Sequence, residues 1–228
     1  MNSGTVMLRQ MAAARRFNRW MADQIAPLVR GSVLEIGAGI GNLTEFLMPC
    51  ADRYVAMDTE PEHLAELARR FNVQAVLCDA ADARSFDSFR NCFDTVVCLN
   101  VLEHIPDDCT TLANIRDALH PAGTAIVLVP QCQAVFGALD EVLGHERRYS
   151  KTELVAKMTA AGFRLEHVIE FNRATLPGWF LNSRILRRRT LSSVQLRIFD
   201  FLVPLWRKLD RLWPWPATSL IAIGKREQ

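Results

Sequence analysis

Glu35-Ile36-Gly37-Ala38-Gly39-Ile40-Gly41 places three glycines at alternate positions directly after a short apolar run. Glycine accepts backbone angles that other residues avoid, and it lets a ligand approach the main chain closely. Between a strand and a helix, such a loop holds a ligand at the carboxyl edge of a sheet. Asp58 ends a second apolar run and Asp79 a third. A carboxylate in the first of these places can accept hydrogen bonds from both hydroxyls of a ribose. In the second it can accept from the amino group of an adenine. Glu35, Asp58 and Asp79, at successive strand ends, form a nucleoside-reading set. A nicotinamide dinucleotide is one such ligand, but its GxGxxG fingerprint sets the third glycine one place beyond Gly41.

Two further groups carry ionisable chemistry. Glu103-His104 follows a fourth apolar run, Phe93 to Leu99, and falls at the mouth of the same edge. His104 is a candidate catalytic residue there, or a packed strand-end histidine. Asp140 to Tyr149 is dense in polar groups and precedes a helix. His145 is the preferred general base, because a neutral imidazole is available near pH 7. Arg148 and Tyr149 are candidates for positioning an oxygen-rich substrate; the competing reading is a solvated loop with Tyr149 as an apolar plug.

The elements that must position these residues alternate in type. Apolar runs at 33–36, 54–57, 74–77, 93–99 and 124–129 read as strands, with helical stretches at 42–48, 61–70 and 107–119 and a turn at Pro121-Ala122-Gly123. Such alternation gives an α/β fold with a doubly wound, mostly parallel seven-stranded sheet. Ser150 caps a helix over 151–161 that Gly162 closes, and strands follow at 163–171 and 219–223. The forty-odd residues between those strands exceed a hairpin loop. Val194, Ile198, Leu202, Leu205, Leu209 and Leu212 recur there at helical spacing, so a helical insertion kinked at Pro204 is expected. The expected division is a core over 1–172, a helical cap over 173–217 and the last core strand over 218–228.

The 228 residues carry a net charge of +2, so no global field calls for a polyanionic partner. From Arg173 onward, however, eleven Lys and Arg stand against three Asp and Glu, alongside four of the five tryptophans. Trp179 and Asn182, at the start of this segment, are candidate substrate residues by position. A cap over the pocket, peripheral contact of 184–215 with an anionic membrane, and a nucleic-acid patch are the three readings of the basic segment. The six cysteines form no CxxC pair, and neither a signal peptide nor an apolar run of about 18 residues is evident. Free thiols and a cytoplasmic location follow as expectations.

Taken together, these segments resemble class I methyltransferases. Val33 to Gly41 resembles their motif I, and Cys78-Asp79-Ala80 their adenine motif. Phe93 to Ile105 is similar to the fourth-strand segment of the ubiquinone-biosynthesis-like branch, methyltransferase types 11 and 12. Leu119-His120-Pro121-Ala122-Gly123 resembles their L-x-P-G-G turn, with Ala122 replacing a glycine. The resemblance covers roughly residues 15 to 170 and implies S-adenosylmethionine as cofactor. It assigns Glu35, Gly37, Ala38 and Gly39 to the methionine portion, Asp58 to the ribose, and Asp79 with Ala80 to the adenine. Asn100 would lie beneath the cofactor, near its methyl group, and Thr59 and Val101 complete the binding set. In some ubiquinone-pathway relatives the Glu-His pair holds a divalent metal with an additional upstream acid. Asn100 stands in that acid's place, so no metal is expected. Gly144-His145-Glu146-Arg147-Arg148-Tyr149 resembles a segment of bacterial methyltransferases of polysaccharide or lipid biosynthesis. The Asn/Asp-Pro-Pro-Tyr/Phe motif of nucleobase amine methylation is missing after the fourth strand, and no nucleic-acid substrate is expected. The expected activity is methylation, at a hydroxyl, of a small-molecule or lipid-linked acceptor. The alternatives are an accessory protein without turnover and a nicotinamide-dependent oxidoreductase.

Overall fold

The computed structural model describes residues 3–190 and 192–227, the first five by their backbone path alone. Met1 and Gln228, the outermost residues of the expected core, lie outside this range. The strands are β1 (Ser32–Ile36), β2 (Arg53–Asp58), β3 (Gln74–Leu77), β4 (Phe93–Leu99), β5 (Leu119–Pro130), β6 (Phe163–Phe171) and β7 (Ser219–Arg226). They form one sheet in the order β3-β2-β1-β4-β5-β7-β6. All neighbours are parallel except β7, which runs antiparallel to both β5 and β6. The chain order reverses direction between β1 and β4, which leaves a crevice at their carboxyl ends.

Alternation along the strands sends successive side chains to opposite faces. Leu34, Ile36, Val96, Cys98 and Val127 meet α5 (Asp108–Ala118) and α7 (Lys151–Ala160) through Leu112, Ile115, Leu154 and Met158. Val33, Val97, Leu99, Ile126 and Leu128 meet α2 (Arg15–Ile25) through Phe17, Trp20 and Met21. Both faces of the central strands are therefore covered, which is why β4 reads as an almost unbroken apolar run. Each fully buried Leu, Ile or Val contributes about 1.5–3 kcal/mol, so these two layers dominate the stability of the frame.

Four further helices complete the parallel half and its approach. They are α1 (Ser3–Ala12), α3 (Thr44–Leu47), α4 (Pro61–Arg70) and α6 (Ala138–Leu143). Helix α7 begins as read: the Ser150 hydroxyl oxygen accepts from Glu153 N–H at 3.1 Å, and Gly162 follows at φ +90°.

One local expectation requires correction. Residues 121–123 do not separate a helix from a strand; β5 already starts at Leu119, and the pairing shifts register between Phe93 and Thr95. Ala122 sits there at φ +62°, so an irregularity inside the strand replaces the turn.

The segment between β6 and β7 is helical, as expected, and its facing is new. It holds α8 (Leu176–Phe180), a π turn (Leu181–Ile185) and α9 (Ser193–Leu209), which runs on through Pro204. Of the stripe seen in the sequence, Val194, Ile198, Leu205 and Leu212 are exposed, whereas Leu202 and Leu209 are half-buried. A second stripe, Leu196, Phe199, Val203 and Trp206, packs inward, with Phe199 edge-on to Phe17 of α2 at 5.3 Å. Helix α9 thus lies along α2, and it is the α8–π portion that approaches the carboxyl edge.

Candidate active site

The glycine loop leaves β1 beside the end of β4. Gly37, Gly39 and Gly41 have φ of +70°, +56° and +86°. A Cβ on Gly37 would come within 2.3 Å of Val101 Cγ2, so the chain after β4 walls this loop directly. On the other side, α1 lays Leu8 against Gly39, and Asn42 Nδ2 donates to the Leu8 carbonyl at 3.0 Å.

Asp58, at the end of β2, reaches across to the loop. Its Oδ2 accepts from Gly39 N–H at 2.7 Å, and its Oδ1 accepts from Glu60 N–H at 2.9 Å and lies 3.2 Å from His63 Nδ1. Glu35 is buried beneath the loop, where Thr44 Oγ1 donates to it at 2.5 Å and Tyr54 Oη at 3.0 Å. Burial pushes its pKa up to about 7 against the lowering effect of those two donors, with Asp58 adding repulsion. Glu35 therefore braces the loop from below instead of presenting its carboxylate at the open edge.

Asp79 is exposed after β3, its Oδ1 accepting from Ala81 N–H at 2.9 Å. The Ala80 carbonyl beside it is held by Asn114 Nδ2 at 2.9 Å. Thr59 and Asn100 are exposed at the ends of β2 and β4. Asn100, at φ +55°, donates its N–H to the Leu128 carbonyl at 2.9 Å. The residues expected to bind a cofactor thus border one edge, and its glycine cradle and carboxylate acceptors fit a nucleoside bearing an amino acid.

One turn past Val101, the segment Leu102–His104 brings the second group of side chains to the same edge. His104 N–H donates to the Val101 carbonyl at 3.0 Å, and its Nδ1 lies 3.3 Å from the Gly144 carbonyl. Burial, then repulsion from His145, lowers the His104 pKa to about 4. His145 meets it edge-on, ring centroids 4.8 Å apart. The chain reaches His145 through Gly144, whose φ of +78° ends α6.

Asp140 was not singled out in the sequence, and it organises this group. Its Oδ1 accepts from His145 Nδ1 at 3.0 Å and from Arg148 Nε at 2.8 Å. Its Oδ2 accepts from Gly137 N–H at 3.1 Å and Trp179 Nε1 at 3.2 Å. Burial raises its pKa, but the His145 hydrogen bond and the Arg148 charge outweigh it and hold the group below the usual range. A carboxylate can only accept, so the Nδ1 of His145 carries a proton toward Asp140, and Nε2 is left free of that contact.

That Nε2 lies 3.9 Å from Oε1 of Glu103. Glu103 is fully buried, and neither carboxyl oxygen has a hydrogen-bond partner. Burial pushes its pKa up to about 8, against the Arg148 charge. One donor atom each from Glu103, His104 and His145 lies within 4.8 Å of the others, close enough to converge on a cation. Neither Asp140 nor the Glu103–His145 juxtaposition had a motif to announce it; the only signal was two ionisable clusters each expected at the same sheet edge.

The expected substrate residues divide. Tyr149 is fully buried, its hydroxyl donating to Asp108 Oδ2 at 2.7 Å. It is the plug between β4, α5 and α7, and presents no group to a ligand, which corrects the substrate reading. Arg148 is equally committed: besides Asp140 it donates to the Gln131 carbonyl at 3.0 Å and stacks on Trp179 at 4.8 Å. Trp179 reaches Asp140 from the α8–π segment. Asn182 is buried, donates to the Gly178 carbonyl at 2.8 Å, and has an unpartnered Oδ1.

Comparison with known proteins agrees with this geometry. Residues 34–125 match the methyltransferase domain family. Nodulation protein S of Sinorhizobium fredii is 32% identical over 163 residues, covering 71% of this chain and 70% of that protein. A ubiquinone biosynthesis O-methyltransferase of Xanthomonas euvesicatoria is 28% identical over 158 residues, 62% of this chain and 66% of that one. The chain spans less than two thirds of several curated relatives, including 45% of a ubiquinone biosynthesis O-methyltransferase of Xanthomonas campestris. Among solved structures, an S-adenosylmethionine-dependent methyltransferase of Archaeoglobus fulgidus superposes with a TM-score of 0.65 at 16% identity, covering 93% of this chain and 94% of that one. The Burkholderia thailandensis 1,6-didemethyltoxoflavin-N1-methyltransferase, solved with S-adenosylhomocysteine, gives 0.59 at 20% identity, covering 94% and 79%. Fold, glycine cradle and relatives agree: the chain belongs to the class I S-adenosylmethionine-dependent methyltransferases.

Proposed function

We propose that the protein transfers a methyl group from S-adenosylmethionine to a hydroxyl of a small or lipid-linked acceptor, with His145 as general base. The observation that carries this reading is the His145–Asp140 pair, with Nε2 left free of Asp140 beside the end of β4. When bound, the cofactor supplies an electrophilic methyl group and a neutral thioether leaving group. Asp58 and Thr59 would hold its ribose, Asp79 and Ala80 its adenine, and Gly37, Ala38 and Gly39 its methionine portion, with Glu35 bracing the loop. Asn100 and Val101 would flank the methyl group.

The acceptor hydroxyl gives its proton to His145 Nε2, and Asp140 stabilises the imidazolium. A well-placed base of this kind accounts for about 10²–10⁴ in rate; alignment and exclusion of water supply more. Trp179 and Asn182 would border the acceptor. The relative named as a ubiquinone biosynthesis O-methyltransferase supports an oxygen nucleophile.

A second reading rests on Glu103, whose buried, unpartnered oxygens sit beside two imidazoles. A divalent cation held by Glu103, His104 and His145 would orient the acceptor oxygen, and His145 would then be a ligand and no base. A chelator separates the two: turnover that survives it supports the base, and loss reversed by magnesium supports the cation.

The first test is calorimetric titration with S-adenosylhomocysteine, with NADH in parallel. Micromolar binding of the former alone supports the assignment. Binding of NADH alone replaces it with an oxidoreductase, and cofactor binding without turnover on any hydroxylated acceptor supports the accessory role.

A further inference from the structure

Ten large apolar side chains are exposed among the described residues, and all but Leu77 lie between Phe180 and Leu212. On α9 they form one stripe: Val194, Ile198, Phe201 and Leu205, spaced four, three and four residues apart, are 61%, 55%, 69% and 47% exposed. The opposite face of the helix is already satisfied against α2, so this stripe is surplus to the fold. Ile185 and Leu212 extend the apolar surface at either end, 60% and 76% exposed. A concentration of this kind marks an interaction surface.

The unpaired exposed charge beside it is positive. Arg184, Arg187, Arg188, Arg189 and Arg197 are exposed, and none forms an ion pair among the described residues. Arg16 of α2 joins them, its guanidinium 5.5 Å from the Phe201 ring. An apolar stripe flanked by unpaired arginines matches an interface whose outer layer is anionic and whose interior is hydrocarbon. A second copy fits poorly, because a twofold contact through this face would set the arginines against their own equivalents. Stacked nucleobases would call for planar rings, and the stripe is mostly aliphatic.

We propose that the outer face of α9, with the arginines of 184–197, docks on the surface of a bilayer rich in anionic phospholipid. The helix lies in the plane of the interface, since no described helix is long and apolar enough to cross. The segment that leads into this face carries Trp179 to Asp140 at the carboxyl edge, so docking would turn that edge toward the membrane.

Co-sedimentation of the full chain with vesicles tests this without any turnover, so its failure is separable from failure of the methyl-transfer reading. Vesicles of phosphatidylcholine with about one third phosphatidylglycerol should bind the protein, and pure phosphatidylcholine should not. Ile198→Ser/Phe201→Ser/Leu205→Ser should cut partitioning by at least about tenfold, and Arg187→Ser/Arg188→Ser/Arg189→Ser by about 100-fold at low salt. Melting temperature and S-adenosylhomocysteine affinity should stay at the wild-type values in both variants. No binding to either vesicle, or equal binding to both, would overturn the proposal. So would a dimer in light scattering that Phe201→Ser dissociates, or retention by duplex RNA without vesicle binding.

Discussion

His145 turns its Nδ1 to Oδ1 of Asp140 at 3.0 Å, while the backbone N–H of His145 donates to the Asp140 carbonyl at 2.9 Å. One residue thus fixes both the ring and the chain that carries it. The ring is oriented, with its Nδ1 engaged, before any acceptor arrives.

His145→Ala should therefore lower kcat by about 10²–10⁴ while S-adenosylhomocysteine affinity changes by less than about threefold. Steady-state rates and calorimetry on the same preparation check this. Normal turnover would remove His145 as base.

Asp140 also neutralises the buried Arg148, so its loss carries a stability cost that His145→Ala avoids. Arg148→Leu, which strands the Asp140 carboxylate, should destabilise the fold by about 3–5 kcal/mol in denaturant melts. The lowered Asp140 pKa gives the sign: this contribution is present above the ordinary carboxylate range and is lost as pH falls through the folded value.

Glu103 works in the opposite direction. Its folded pKa is raised to about 8 from 4.5, so the folded state holds a proton that the unfolded chain has released. Its stabilising effect is full below pH 4.5 and disappears as pH rises toward 8. Glu103→Gln should flatten the stability profile between those limits, removing a change on the order of a few kcal/mol. An unaltered profile would show that Glu103 has a partner in solution, such as a cation.

Gly37→Ala asks for a Cβ 2.3 Å from Val101 Cγ2 at a φ of +70°. It should weaken S-adenosylhomocysteine binding at least about tenfold and cost about 1–3 kcal/mol of stability. Tyr149→Phe, by contrast, should destabilise by about 1–3 kcal/mol and leave kcat within about twofold, since its hydroxyl serves Asp108.

The parallel half of the sheet was legible in the sequence because β4 and its neighbours are buried on both faces, and acids mark the ends of β2 and β3. Family, fold and cofactor followed from that half. The role of Asp140 was not legible: on a short helix it reads as an ordinary first-turn acid, and its four donors come from 137, 145, 148 and 179. The facing of α9 was not legible for a related reason. That helix has two apolar stripes, and spacing alone finds both without telling which one meets α2. Arg148 and Tyr149 were read as open to a ligand because a polar loop gives no sign of how deeply its side chains turn inward.

The excursion between β6 and β7 is pinched shut where it begins and ends. Thr218 donates both its N–H, at 3.0 Å, and its hydroxyl, at 2.8 Å, to the carbonyl of Asn172. To the sheet, the whole segment is therefore equivalent to a short hairpin connection. Doubling the length of chain beyond such a neck adds only about 0.6 kcal/mol of closure entropy. Residues can be gained or lost there without shifting β7 against β5. The molecule is in this sense modular: whatever the helical excursion recognises can be exchanged over evolutionary time, while the half that reads the nucleoside stays in register.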